Sequence, residues 1–381
     1  MKRILIISQL LPLKHHNGGS TQIRNLIIAS RLRGYKIDFL SLKLPLADEP
    51  IYCEVEEFLK NNTEYYQIIP FEDPYGRPGR KGMLEYFSEG LDRICAALSG
   101  NEYLAIFAEF TGMARYLRHF KRPVKFINIH ELNILKELRE LRLDYNLKDR
   151  LYLFVSAISI LREELKLLKE ADVILSYNEI EIEIIKTFLR ERDIIHIPIT
   201  IEMTESIRPI KKRKYDFIFL GNFDHKPNRD AIEFLLKYKE RILGDSSLLI
   251  GGRNTEIIKK GTKSMKNIHF IEGVEEPSEF LQMGKILIAP ILSGGGSRVK
   301  IIEAMANGNL IITTPEGAEG LLRNEKEGII VLKKGELMEG RPVDILKNLR
   351  NYTHLIEFNK RNVESFHNIY ESLKVREFYF L

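Results

Sequence analysis

Cysteine is scarce in this chain: 381 residues include two, Cys53 and Cys95. Two thiols build neither a disulfide framework nor a zinc cluster, and this usage fits a reducing cytosol. Long apolar runs are also missing. No stretch of about 18 apolar residues occurs, so nothing reads as a membrane-spanning helix. The start, Met1-Lys2-Arg3 followed by ILIISQLLPL, has the charge of a signal peptide but not its length or cleavage site. It reads as a buried first strand. Excess charge is small as well. A net charge of +5 suits anionic small molecules or an anionic membrane surface and is too weak for nucleic acid. There is no Asp-x-Asp and no carboxylate cluster suited to Mg²⁺, so no metal is expected. No long internal repeat or low-complexity segment is visible. What remains is 44% hydrophobic and 29% charged, a soluble globular composition whose length implies two domains.

The most informative stretch is Lys285–Thr314, KILIAPILSGGGSRVKIIEAMANGNLIITT. Lys285–Pro290 has strand length and apolar character. Gly294-Gly295-Gly296-Ser297 must be loop, because consecutive glycines cost too much backbone entropy in a helix or strand. From Arg298 to Asn307 the spacing is helical, with Val299, Ile302 and Ala306 on one face and Gly308 as a stop. Leu310–Thr314 is a second strand. Strand, glycine loop, helix and strand make a parallel βαβ unit whose loop offers bare N–H groups at a helix N-terminus. Arg298 and Lys300 lie in that first turn and oppose the helix macrodipole, a local cost unless an anion answers it. Glu303, one turn on, is placed to accept hydrogen bonds from ribose hydroxyls. The pattern is neither a dinucleotide fingerprint nor a P-loop. An ordinary βαβ unit with a Lys300–Glu303 surface pair is the simpler alternative.

The same plan opens the chain. Arg3–Leu11 reads as a strand, Gly18-Gly19-Ser20 as a loop, Thr21–Arg33 as a helix and Lys36–Leu42 as a strand. Pro70–Gly82 reads as a surface loop carrying Arg77, Arg80 and Lys81. A second basic group runs from Arg115 to Lys125. Solvated faces and contact with an anionic lipid or acceptor both fit these groups. Val124–Ile129 is a strand followed by His130, a position where α/β ligands bind and where a loop histidine also sits. The run His130-Glu131-Leu132-Asn133 is not a zinc helix motif. Leu147–Glu170 is a long amphipathic helical region, and Ile194–Ile199 the last strand of the first half. Thr204–Tyr215, polar and basic with one proline, is the expected linker. Asp216–Leu220 opens the second half and leads into Gly221-Asn222-Phe223-Asp224-His225-Lys226-Pro227-Asn228.

GGGSRVKIIEAMANGNLIITT, followed by Glu316-Gly317-Ala318-Glu319-Gly320-Leu321, resembles the donor-site signature of the group 1 glycosyltransferases (glycosyltransferase family 4). FLGNFDHKPNRDAIEFL matches the first strand and loop of that family's donor domain. The resemblance implies a GT-B fold, α/β throughout, with two Rossmann-like doubly wound parallel-sheet domains facing a cleft. Residues 1–203 would form the acceptor domain, 204–215 the linker and 216–369 the donor domain, with a C-terminal helix, 370–381, crossing back. It implies donor contacts at Gly18, Gly19, Asn222, Lys226, Gly294, Gly295, Gly296, Ser297 and Glu303. Arg253, Gly273 and Val274 fall where the base lies. His130 would reach the donor sugar, and Arg298 and Lys300 would stabilise the leaving diphosphate. Most members carry Arg where this chain has Asn222, which leaves Lys226 as the local cation. Many also carry a second glutamate at the position of Gly295, and the family's Pro-Asn-Gly turn is absent after Pro198.

The expected reaction is retaining sugar transfer from a nucleotide-diphosphate sugar to an acceptor hydroxyl in glycan or glycolipid synthesis. It would be metal-independent, with fixed cations and N–H dipoles in place of Mg²⁺. The departing phosphate would take the acceptor proton on the same face. No cofactor is expected. The partners would be a UDP- or GDP-sugar donor and a carbohydrate, glycolipid or protein acceptor. The location would be cytoplasmic, with peripheral membrane contact through the basic surface of the first domain. A nucleotide-sugar epimerase and an inactive nucleotide-sugar-binding protein are the alternatives.

Overall fold

The computed structural model describes residues 2–14, 18–43, 49–70, 88–141, 146–201, 206–262, 265–293, 298–321 and 326–366. Two compact units divide the chain between Ile197 and Pro198.

The first unit holds a seven-stranded sheet in the order β3-β2-β1-β4-β5-β6-β7. Its strands are β1 (Arg3–Ser8), β2 (Lys36–Lys43), β3 (Tyr65–Pro70), β4 (Ala105–Glu109), β5 (Val124–Ile129), β6 (Val173–Ser176) and β7 (Asp193–His196). Every pairing is parallel, with Ile4 of β1 opposite Ile37 on one side and Ala105 on the other. Strands covered on both faces need continuous apolar runs, and RILIIS and AIFAE supply them. Leu5, Ile7, Ile106, Ile127 and Leu168 meet in the core on one face of the sheet. The strand order reverses between β1 and β4, which makes that edge a switch point.

Two sequence expectations shift here. The first helix is Gly18–Leu32, so Gly18 and Gly19 form its first turn instead of a loop. Glycine is tolerated there because the first N–H groups of a helix have no intrahelical partner. Buried Ile23, Leu26 and Ile27 hold the helix to the sheet. The last strand, β7, ends at His196, short of the expected Ile199, since Pro198 has no N–H to donate.

The second unit holds a six-stranded parallel sheet in the order β10-β9-β8-β11-β12-β13. Its strands are β8 (Tyr215–Leu220), β9 (Leu248–Gly252), β10 (Ile268–Glu272), β11 (Gly284–Ala289), β12 (Leu310–Thr313) and β13 (Ile330–Val331). The order reverses between β8 and β11. The helix Thr353–Phe366 packs on the helix Val299–Ala306, with Val363 buried. Residues 370–381, expected to cross back, and the loop 71–82 lie outside the described residues.

Residues 206–215 of the expected linker do not hang free. Arg213 is 4% exposed, and its guanidinium donates to the carbonyls of Arg208, Gly284 and Asn307. Burial pushes its pKa down to about 10. A five-donor fork satisfied by carbonyls fastens this segment to the second unit. Of the basic residues that suggested a linker, Arg213 spends its donors on backbone oxygens, whereas Lys211, Lys212 and Lys214 are exposed.

Candidate functional site

Ligands of open α/β sheets bind at the carboxyl ends of the strands where the order reverses. In the second unit that edge is flanked by the segments after β8 and β11. The chain leaves β8 through Gly221, whose N–H donates to Gly251 O at 3.1 Å. Gly252, at the end of β9, has φ +136°, and a Cβ there would lie 1.8 Å from Gly221 O. Only glycine lets these backbones approach so closely. After β11, Thr313 Oγ1 donates to Ala289 O at 2.7 Å, and Thr314 Oγ1 donates to Ile291 O. Thr314 also caps the short helix Pro315–Ala318.

Arg298 and Lys300 stand at the start of the helix Val299–Ala306, as expected. Arg298 is buried, and its Nη2 donates to Glu316 O at 2.7 Å. Lys300 Nζ donates to Asn228 Oδ1 at 2.6 Å and lies 5.1 Å from the centre of the Phe219 ring. The Asn228 amide donates in turn to Asn222 O at 2.8 Å. Asn228 therefore ties the segment after β8 to the cation after β11. The simpler alternative, a Lys300–Glu303 surface pair, does not describe this contact. Among the described residues Lys300 pairs with Asn228, and both Lys300 and Glu303 are half-buried.

Burial pushes the Lys300 pKa down to about 7; Arg298 lowers it further and Glu303 opposes the shift. Burial pushes Glu303 up to about 7, opposed by Lys300. No acidic residue lies in the first turn of this helix. Each cation there works against the macrodipole by roughly 0.3–1 kcal/mol. An anion brought to this helix start would compensate desolvation and dipole together.

The other expected donor residues surround this centre less directly. The Asn222 side chain accepts from Asp224 N–H at 2.9 Å, closing a turn. Lys226 pairs with Asp230 at 2.8 Å on the helix surface. Arg253 follows β9, and its carbonyl accepts from Phe223 N–H at 3.0 Å. Gly273, with φ +66°, donates its N–H to Gly252 O, and half-buried Val274 follows it. Gly294, Gly295, Gly296 and Ser297 lie outside the described residues. Among the described residues no cluster of three His, Cys, Asp or Glu side chains is placed to hold a metal ion.

In the first unit, His130 follows β5. Its Nε2 lies 2.7 Å from Glu109 Oε2, and Glu109 is fully buried at the end of β4. Asn128 Nδ2 donates to the same Oε2 at 3.0 Å and to the Tyr177 hydroxyl at 2.9 Å. The imidazole stacks on Phe110, 4.1 Å between centroids. Phe110 has φ +75°, a conformation costing of order 1–3 kcal/mol for a bulky residue. Among the described residues His130 Nδ1 is buried with no hydrogen-bond partner. The Nε2–H tautomer suits this environment, since it sets a donor against the carboxylate and leaves a bare acceptor at Nδ1. Gly18 and Gly19 open the helix that follows β1.

Glu109, Asn128 and Asn228 were not singled out from sequence. Glu109 carried a weak signal, a carboxylate ending an otherwise apolar strand. The asparagines carried none, because their partners are remote in sequence.

Comparison with known proteins finds a likeness within the second unit. A family model described as glycosyl transferases group 1 matches residues 214–340. A comparison with curated protein sequences finds no match. Among solved structures, sucrose-phosphate synthase from Thermosynechococcus elongatus has a TM-score of 0.72 at 16% identity, covering 100% of this chain and 98% of that one. Anabaena HepE in complex with UDP-glucose has 0.70 at 11%, covering 100% of both. Pneumococcal O-GlcNAc transferase GtfA in complex with UDP and GlcNAc has 0.68 at 10%, covering 100% and 98%. At these identities the likeness is one of fold, and it extends over the whole chain. The chain has the GT-B fold, and its residues 214–340 match the family model of the group 1 glycosyl transferases.

Proposed function

We propose that this chain is a retaining glycosyltransferase that moves a sugar from a nucleotide-diphosphate sugar to an acceptor hydroxyl in glycan or glycolipid synthesis. The observation that carries the reading is the cation pair at the β8/β11 switch point: Lys300 held by Asn228, and Arg298 held by Glu316 O. A departing diphosphate develops charge, and preorganised cations and a helix N-terminus stabilise it without reorganising. Arg298 and Lys300 would bind that diphosphate, and Glu303 would accept from the ribose. Arg253, Gly273 and Val274 would border the base. UDP bound to the solved relatives favours uridine. His130, with its tautomer set by Glu109, would contact the donor sugar. Transfer would proceed without a metal ion, in the cytoplasm.

A thermal-shift series with UDP, GDP, ADP and uridine tests the reading. A diphosphate at 100 times its dissociation constant adds about 2.7 kcal/mol, whereas uridine should do much less. Equal response to nucleoside and diphosphate, or none to any, would remove the cations from donor binding.

A further inference from the structure

The helix Leu147–Leu168 in the first unit is apolar on two sides. Its inner side buries Leu153, Ala157, Ile160, Leu167 and Leu168. Its outer side exposes Leu147 (85%), Leu151 (63%), Phe154 (53%), Val155 (59%) and Ile158 (39%). Spacings of three and four place these five on one face. A helix apolar all round is normally buried in protein or lipid. Here the outer face is open to solvent over three turns.

The charges on this helix are sorted. Arg162 and Lys166 continue the exposed row beyond Ile158, and Lys148 and Arg150 flank its start; all four are exposed. Acids lie on the inner rows. Asp149 is one turn before buried Leu153, and Glu163 one turn before buried Leu167. Glu164 is buried and accepts from the N–H groups of Asn133 and Ile134. Among the described residues of this helix the outer face thus presents apolar side chains with cations at both ends, and half-exposed Asp149 and Glu163 lie off it.

We propose that this face docks the chain on an anionic lipid bilayer, with the five apolar side chains entering the acyl boundary and the four cations at the headgroups. The charge pattern selects this occupant over a second copy of the chain. Pairing two such faces, parallel or antiparallel, sets cation against cation at both ends. An anionic bilayer answers every one of these charges, at about 1 kcal/mol per cation near the surface. Insertion would be shallow, as for other interfacial helices. No helix among the described residues is long and apolar enough to cross a membrane. This surface differs from the basic groups at 77–81 and 115–125 that the sequence suggested. Arg118 is already paired with Asp92 at 2.8 Å.

Vesicle flotation of the full chain tests the proposal, with phosphatidylcholine alone and phosphatidylcholine mixed with phosphatidylglycerol. Binding should require the anionic lipid and weaken with salt. Leu151→Glu or Phe154→Glu should reduce partitioning about tenfold to a hundredfold, the burial energy of one large apolar side chain. Arg162→Gln should reduce it about fivefold, and on anionic vesicles only. All three positions are exposed, so folding is preserved, and the UDP thermal shift of each variant should match that of the parent chain. Three results would overturn the proposal: no vesicle binding, binding indifferent to Phe154→Glu, or concentration-dependent dimerisation that Leu151→Glu abolishes. A failed UDP shift with intact vesicle binding would instead count against the glycosyltransferase reading alone.

Discussion

Lys300 Nζ and Asn228 Oδ1, separated by 72 positions in the chain, are 2.6 Å apart at the switch point of the second sheet. The lysine is aimed by a neutral amide, which sets no negative charge against its head. Had the partner been a carboxylate, an anionic ligand would have had to compete with it. Lys300→Met should therefore weaken UDP about ten- to hundredfold while leaving uridine unchanged, because a charged hydrogen bond is worth roughly 1.5–3 kcal/mol. Calorimetric titration of both ligands decides this. Equal losses for UDP and uridine would mean that Lys300 shapes the site without meeting phosphate.

Much of this centre was legible in the sequence. Arg298 and Lys300 were read at the start of the helix Val299–Ala306, where the structure has them, whereas the glycine run before it lies outside the described residues. Both βαβ units were readable because buried parallel strands are continuous apolar runs. What stayed hidden depends on contacts between remote positions. Asn228 looks like any polar residue in the helix Lys226–Lys237, and nothing local shows that it faces Lys300. Arg213 lies in a basic run that composition reads as solvated, yet three carbonyls bury it. Glycine spacing also misled at Gly18 and Gly19, where a helix start and a loop look alike.

Gly252→Ala should be severe. The added Cβ would lie 1.8 Å from Gly221 O, and the backbone at φ +136° already disfavours a side chain. Neither clash partner is a flexible side chain, so β8 and β9 must separate where the candidate site is built. We expect a loss of at least about 1–3 kcal/mol in urea unfolding, the cost of one such strained residue. The UDP response should fall as well. Unfolding at the parent midpoint would show that the two strand ends are not held together in solution.

Glu109 anchors two buried donors, His130 Nε2 and Asn128 Nδ2. Glu109→Ala removes the acceptor for both, and a buried donor left unsatisfied in this way costs about 1–3 kcal/mol. Glu109→Gln keeps an acceptor oxygen of the same size and should cost less. Equilibrium unfolding of the two variants gives the difference. If alanine and glutamine behave alike, the carboxylate is not what holds His130.

The last prediction concerns protons. Lys300 is held at about 7, below its ordinary 10.5, mainly by burial. Between these values the unfolded chain binds a proton that the folded chain does not, so this group makes stability rise with pH from about 7 to 10.5. Glu303 is raised from 4.5 to about 7, so the folded chain holds the extra proton and stability falls as pH rises between those values. The two contributions together place a shallow minimum near neutrality. Melting temperature against pH should show it in the parent chain. Lys300→Met should lose the rise on the alkaline side, and Glu303→Gln the fall on the acid side. A bound diphosphate favours the charged lysine, so binding UDP-glucose above pH 7 should take up close to one proton. UDP-glucose suits this measurement because its esterified phosphates do not titrate there. Calorimetry at pH 8 in two buffers of different ionisation enthalpy reads the uptake directly. It should vanish in Lys300→Met. Uptake that persists in the variant would assign the proton to another group and return Lys300 to a structural role.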